Sequence, residues 1–246
     1  MRKETLFAVR ENSKIARDIY RMVLEGDTSA ISAPGQFVNV QIDGLFLRRP
    51  ISVCDVEAHR LVLVYKVVGV GTEKMSQAQA GKVFSLLTGL GNGFDIKKAG
   101  NAPLLVGGGV GVPPLYYLAK CLIARGIVPK VALGFQAAED CFFEREFAAM
   151  GCEVAVATLD ASRGTRGFVT DAICQSGFSY DYFFACGPEP MLKAVAGLCQ
   201  CSGQLSFEER MACGFGACMG CSCQTKYGAK RICKDGPVLV KEEVIW

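Results

Sequence analysis

The sequence predicts an α/β plus all-β fold: a small β-barrel, then a doubly wound parallel sheet, then a cysteine-rich C-terminal segment. Three observations predict it. Residues 1 to about 98 alternate apolar and polar over short runs separated by turn residues, the pattern of a small barrel. From about residue 99, short apolar runs alternate with helical ones, the pattern of a parallel sheet with helices on its faces. Five cysteines then fall within residues 213–233, among several glycines. The expected divisions are 1–98, 99–203 and 204–246.

In the first division the strand-like runs are 37–42, 51–56 and 61–68. Ala33-Pro34-Gly35, Asp43-Gly44 and the glycines at 89–93 supply the turns. A short helix is expected over 74–79. In the second division, strands are expected over 102–106, 130–135, 153–158 and 182–186. Helices are expected over 115–125, 144–149, 169–175 and 190–200.

Composition bounds the function. Half of the 246 residues are apolar and about a fifth are charged, which suits a globular chain with a real core. The net charge is +3 from 27 basic and 24 acidic residues, with no basic block, so no nucleic-acid partner is expected. No apolar run reaches the roughly 18 residues of a membrane span, so no membrane association is expected. The charged N-terminus lacks the apolar stretch of a secretory leader, and a cytoplasmic location is expected. There the thirteen cysteines are reduced thiols, which point to metal more than to disulfides. The single His59, in a polar turn, removes His-rich metal sites from consideration.

Cys213, Cys218, Cys221 and Cys233 read C-x₄-C-x₂-C-x₁₁-C, and the first two spacings are those of a plant-type [2Fe–2S] site. Gly214, Gly216 and Gly220 let the backbone curl and turn N–H groups toward cluster sulfurs. A Cys₄ zinc site is the alternative, although zinc ribbons usually pair two C-x₂-C knuckles. Cys223 is the spare thiol and ranks below Cys221 as a ligand.

Gly107, Gly108, Gly109 and Gly111 follow a strand and open a helix carrying Pro113 and Pro114. Such a turn lets backbone approach a pyrophosphate and aims helix N–H groups at it. Cys186-Gly187-Pro188 follows the last strand of this division, so both loops belong at the carboxyl edge of one sheet. The alternative is a tight turn without a ligand. Arg49-Pro50-Ile51-Ser52, preceded by Arg48, places a guanidinium and a hydroxyl beside a strand, a combination able to grip a diphosphate. Tyr65-Lys66-Val67 ends a strand, and backbone near Gly71 and Thr72 can meet a phosphate. Taken singly, these two are equally a surface arginine pair and a capped helix.

In this order the motifs resemble the ferredoxin–NADP reductase superfamily. Its R-x-Y-S appears as Arg49 to Ser52, its G-G-G-x-G-x-x-P as Gly107 to Pro114, and its C-G-P as Cys186 to Pro188. Ile51 stands where many members have Tyr, which removes one aromatic contact to a flavin. The cluster segment narrows the match. Glu209-Arg210-Met211-Ala212-Cys213 and Cys233-Lys234-Asp235-Gly236-Pro237 are similar to the electron-transfer subunits of type B, NAD-dependent dihydroorotate dehydrogenases, over essentially the whole length. Reductase subunits of hydrogenases and of ferredoxin:NADP oxidoreductases share the architecture.

The resemblance implies FAD on the barrel, NAD on the parallel sheet and one [2Fe–2S] cluster. It implies an FMN-containing catalytic partner in a two-plus-two assembly. Electrons from dihydroorotate would pass from that FMN to the cluster, to FAD and to NAD⁺, in the service of pyrimidine biosynthesis. A nicotinamide moves a hydride and a [2Fe–2S] cluster moves one electron at a time; a flavin does both, so no catalytic acid, base or nucleophile is required. Arg49 and Ser52 would hold the flavin's phosphates with help from Gly71 and Thr72, and Tyr65 to Val67 would line the flavin. Arg210 would tune the cluster or meet the partner, or serve as a plain surface charge. The loop Gln136–Asp140 carries no Arg or Lys for a 2′-phosphate, which favours NAD over NADP.

Overall fold

Six antiparallel strands close the barrel in a computed structural model that describes residues 2–246. They are β1 (Lys3–Ala16), β2 (Ile19–Glu25), β3 (Phe37–Val40), β4 (Arg49–Glu57), β5 (Arg60–Lys66) and β6 (Val83–Leu90), in the order β1-β2-β5-β4-β3-β6. Phe7, Met22, Leu24, Val38, Leu63 and Leu86 fill the interior. On β5, Leu61, Leu63 and Tyr65 point inward while Val62 and Val64 face a second core. Burial on both faces explains why this strand reads as an unbroken apolar run.

Helix α1 (Val70–Ser76) starts four residues before the expected 74–79. The Thr72 hydroxyl accepts from the amides of Val68 (3.0 Å) and Gly69 (3.3 Å), which nucleates the turn early. Asn12 ends it by donating to the carbonyls of Met75 and Ser76.

Strands β7 (Pro103–Gly108), β8 (Lys130–Phe135), β9 (Val154–Thr158), β10 (Thr165–Arg166), β11 (Tyr182–Cys186) and β12 (Gly203–Ser206) form a parallel sheet. Helices α2 (Val112–Ile123), α3 (Glu144–Ala149), α4 (Val169–Ser176) and α5 (Glu189–Leu198) connect the strands. The cysteine-rich segment adds the hairpin of β13 (Ser222–Thr225) and β14 (Gly228–Arg231), then β15 (Val238–Val240) antiparallel to β12. The sheet order is β10-β9-β8-β7-β11-β12-β15. The chain therefore runs outward in one direction from β7 and in the other from β11, which makes their junction the switch point. The expected division at 203/204 falls at the first residues of β12, and β15 returns to the same sheet.

Alternate residues of the sheet feed two cores. Leu105, Leu133 and Phe184 meet Leu115, Leu118 and Leu122 of α2, together with the barrel's Val62 and Val64. Leu104, Val106 and Phe183 meet Val169 of α4 and Leu192 of α5.

Polar staples fix the barrel to the sheet. Lys120 of α2 donates to both Asp55 carboxylate oxygens at 2.8 Å and to Glu57 at 3.2 Å. The Asp55 side chain is only 9% exposed. Lys120→Met strands that carboxylate, and breaking a buried pair of this kind costs roughly 3 kcal/mol. A urea titration should show the loss, and adding Asp55→Asn to the same chain should recover most of it. A second staple runs from Arg17, in the β1–β2 turn, to Asp140 (2.6 and 2.9 Å) and Glu139. An arginine thus does reach the 136–140 loop, from a distant part of the chain. Both acids of that loop are engaged by it.

Candidate cofactor sites

The cysteine segment curls through two left-handed glycines, Gly214 (φ 72°) and Gly216 (φ 89°). This curl aims the amides of Ala217 (3.3 Å) and Cys218 (3.5 Å) at the Cys213 sulfur. The Cys233 amide donates to the Cys221 sulfur at 3.4 Å. Arg231 braces the loop, donating to the Gly216 carbonyl (3.0 Å) and pairing with Asp235.

The four cysteines fall into two pairs, each joined by a backbone amide: that of Cys218 faces the Cys213 sulfur and that of Cys233 the Cys221 sulfur. Burial pushes Cys213 up, but amides of Cys218, Phe215 and Ala217 and the Cys218 thiol outweigh it and bring the group to about 6. Burial, then the facing Cys221, push Cys233 up to about 12. Cys221 and Cys233 lie in the core, Cys213 is half-buried and Cys218 is exposed.

Among the described residues no three His, Cys, Asp or Glu side chains converge as one metal ion requires. Two thiol pairs suit a binuclear cluster, where each iron takes two thiolates, better than a single tetrahedral zinc. Cys223, on β13, is half-buried against the core, and burial raises its thiol. Arg210 is exposed.

On the barrel, the structure separates the two adjacent arginines. Arg48 is spent on the scaffold, reaching Glu4, Gln41, Ser85 and the Asn39 carbonyl. Arg49 instead lies against helix α1: a Cβ added to Gly71 would stand 2.3 Å from its Nε. The first intrahelical bond there runs from Glu73 to Gly69, so the amides of Gly71 and Thr72 have no partner within the helix. Arg49, Gly71 and Thr72 are therefore brought together from two segments.

Ser52 does not join them. Residues three apart on a strand face opposite sides. Arg49 pairs across with the inward-facing Val40, and Ser52 with Phe37, which packs outside the barrel. Arg49 and Ser52 thus stand on opposite faces of β4. Tyr65 points into the barrel. Its ring is buried inside the barrel with its hydroxyl donating to Asn12 at 3.1 Å, so only its backbone, with Lys66 and Val67, is available to a ligand. Pro50 and Ile51 are half-buried, and Ile51 packs against the barrel core.

The two nucleotide loops meet at the switch point, where Cys186 stands beside Gly107 in register. A Cβ on Gly111 would lie 2.1 Å from the Cys186 carbonyl oxygen, and one on Gly108 would lie 2.4 Å from the Met191 sulfur. A Cβ on Gly107 would press on Val112, and one on Gly187 on Met191. Packing demands glycine most strictly at Gly111, against backbone, and at Gly107, against branched Val112, whereas Gly108 and Gly187 meet only the flexible end of Met191. Gly109 (φ 50°) has no atom within 4 Å of such a Cβ and faces open space. It precedes α2, whose N-cap is Gly111 and whose first turn carries the two prolines. Pro188 caps α5. Burial, then the Glu208 carboxylate, push the Cys186 thiol up to about 12, so it stays protonated.

A cleft of about 700 Å³ between the barrel and α2 touches none of these motif residues. Its Lys120 and Arg163 are already paired with carboxylates. Sequence reasoning missed Asn39, whose only signal is a polar residue within the apolar run 37–40. It also missed Glu208 and Met191, which no motif marks.

The model of the iron–sulfur cluster binding domain of dihydroorotate dehydrogenase B matches residues 208–245. The dihydroorotate dehydrogenase B (NAD(+)) electron transfer subunit of Geobacillus sp. (strain WCH70) is 44% identical, over 100% of this chain and 99% of its own. That of Bacillus mycoides (strain KBAB4) is 40% identical with the same coverage. Among solved structures, that of an NADH-dependent reduced ferredoxin–NADP oxidoreductase superposes with a TM-score of 0.88 at 30% identity, covering 98% of this chain and 90% of the other. Matched along its whole length and carrying the cysteine segment of that family, the chain belongs to the electron transfer subunits of dihydroorotate dehydrogenase B.

Proposed function

We propose that this chain carries electrons from the FMN of a catalytic dihydroorotate dehydrogenase subunit, through a [2Fe–2S] cluster and FAD, to NAD⁺. The observation that carries the proposal is a shared core. Phe37 of the barrel, Leu104 and Val106 of the switch-point strand, and Cys221 and Cys233 all pack in it. Three cofactor motifs far apart in sequence thus surround one rigid centre. Whole-length likeness to the named relatives supports the same activity.

The cofactors supply the redox chemistry; the protein binds, orients and shields them. Cys213 with Cys218, and Cys221 with Cys233, are the two ligand pairs, and the amides aimed at Cys213 and Cys221 offset sulfur charge. Arg49 with the amides of Gly71 and Thr72 holds the flavin diphosphate. Ser52 serves the opposite end of the flavin, and Pro50, Ile51, Lys66 and Val67 flank it. Gly109 and the α2 N-terminus take the pyrophosphate of NAD, with Cys186 to Pro188 as the wall. Residues 1–98, 99–203 and 204–246 carry FAD, NAD and the cluster respectively. The exposed Cys218, with Phe215 and Met219 around it, faces the catalytic partner in a two-plus-two cytoplasmic assembly.

Arg49→Ala removes a charged hydrogen-bonding group, a loss of about 1.5–3 kcal/mol. FAD affinity should fall by roughly 10- to 100-fold, as read by flavin release on dilution.

The ferredoxin–NADP oxidoreductase neighbour favours one other reading, a reductase subunit of such a complex. Co-purification with native neighbours tests the two. An FMN protein that oxidises dihydroorotate supports the first; a partner with [4Fe–4S] clusters and no such activity supports the second.

A further inference from the structure

The loop from β3 to β4 is pinned at several points. The Leu45 amide donates to the Ile42 carbonyl at 3.0 Å and closes a turn. Lys74 of α1 donates to the Asp43 carbonyl at 3.0 Å, and Lys82 pairs with the Asp43 carboxylate. Leu45 packs against the barrel core, and Arg49 donates to the Leu47 carbonyl. Phe46 stands at the crest between these anchors and is fully exposed, and Leu47 beside it is exposed as well. An aromatic ring held in water by a fixed loop, with an apolar neighbour, marks a contact surface.

The position of this loop beside Arg49 identifies what covers the ring. Gly71 and Lys74 lie three apart on α1 and share one helix face. That face looks onto the loop: Arg49 lies against Gly71, and the Lys74 Nζ is 3.6 Å from a Cβ built on Gly44. FAD is a flavin and an adenosine joined through a diphosphate, so its two ends leave the grip in different directions. Hydride transfer needs the flavin ring within roughly 3–3.5 Å of the nicotinamide, so the ring points to the switch point. On that side β5 packs its outer face, Val62 and Val64, on α2. Residues 42–47 are elsewhere. Their contacts run to α1, Lys82 and the barrel core, and none of them enters either core of the parallel sheet. The adenosine end therefore leaves toward Phe46.

We propose that Phe46 is the adenine platform of the flavin site: its ring stacks on the base, Leu47 lies along the base's edge, and together they set a preference for FAD over FMN. The inference rests on the flavin reading above and adds the far end of that ligand. Stacking suits this position because the base offers its π face and needs no polar partner there. The pinned loop presents the ring in place, so little ordering is lost when the base settles on it. Phe46 takes no part in the electron path; it decides which flavin the barrel keeps.

The test uses the full chain purified without its catalytic partner, whose own FMN would confuse a titration. Its flavin is removed, and FAD and FMN are each titrated by equilibrium dialysis. FMN ends at a single phosphate and cannot reach Phe46. The wild type should bind FAD about tenfold or more tightly than FMN. Phe46→Ala should weaken FAD about tenfold and leave FMN unchanged, and Phe46→Trp should keep FAD near wild type. The side chain is fully exposed, so both variants should unfold at the wild-type urea midpoint. Equal wild-type affinities for FAD and FMN overturn the proposal without any variant. So does Phe46→Ala with unchanged FAD affinity, with FAD and FMN weakened alike, or with a loss that Phe46→Trp does not restore. A Phe46→Ala chain that binds FAD normally but no longer co-purifies with the catalytic subunit gives the surface to that partner and overturns it too. If the wild type binds neither flavin, the flavin reading itself falls.

Discussion

Cys218→Ser should abolish dihydroorotate-dependent reduction of NAD⁺ while leaving the chain folded and its flavin bound. The exposed ligand belongs to the pair that faces solvent, so its loss leaves no hole in a core. The hydroxyl that replaces it is well hydrated. Cluster absorbance and the electron paramagnetic signal of the reduced protein should disappear, and oxidation of NADH by an artificial acceptor should persist. Cys221→Ser removes the same cluster from the other side with a different consequence. Cys221 is buried beside Ile232 and Leu239, and a hydroxyl placed there adds a desolvation cost of about 1–3 kcal/mol. Metal binding also contributes to folding, so both variants lose that linkage but only the second should unfold earlier than the cluster-free wild type. Urea midpoints of the two serine variants and of chelator-stripped wild type separate the effects.

Gly111→Ala should have the next largest effect, and on NAD rather than on FAD. Its Cβ would stand 2.1 Å from the Cys186 carbonyl oxygen, a backbone atom held in the middle of the sheet by its ladder. Neither loop can turn a side chain aside to make room. Overpacking of this kind costs about 1–3 kcal/mol, and it pries apart the two loops that are to seat the dinucleotide. NAD affinity should fall by roughly 10- to 100-fold, measured by titrating NAD⁺ into the oxidised protein, where no electron transfer follows binding. Gly109→Ala is the informative control. No atom lies near its Cβ, so it should cost only the roughly 1–2 kcal/mol of a left-handed alanine. The loops should stay together. An equal loss in FAD binding for Gly111→Ala would contradict the assignment of these loops.

The parts of the fold that were legible in the sequence are those set by local pattern. Strands 130–135 and 182–186 and helix 144–149 match their expected bounds because apolar runs end at clear turns. The glycine turn and the Cys186 loop share one sheet edge, as their position after strands implies. What stayed hidden depends on residues distant in sequence. β1 is studded with charges and buries only Phe7 and Val9, so its alternation is faint. β15 completes a sheet that began more than a hundred residues earlier. Arg17 reaches Asp140 across two domains, which no inspection of the 136–140 loop can reveal. The opposite faces of Arg49 and Ser52 were available from strand periodicity, once the segment was known to be a strand throughout. Asn39 was not, because its side-chain partner, the Cys213 carbonyl, lies 174 residues further along the chain.

The most direct test of the electron path is anaerobic. The chain is co-purified with its native catalytic partner, and visible spectra are recorded as dihydroorotate and then NAD⁺ are added. The account predicts that flavin and iron–sulfur absorbance bleach with dihydroorotate and return with NAD⁺. Bands that ignore dihydroorotate but bleach with NADH would contradict the assigned partner, leaving a flavin and iron–sulfur reductase that serves another one.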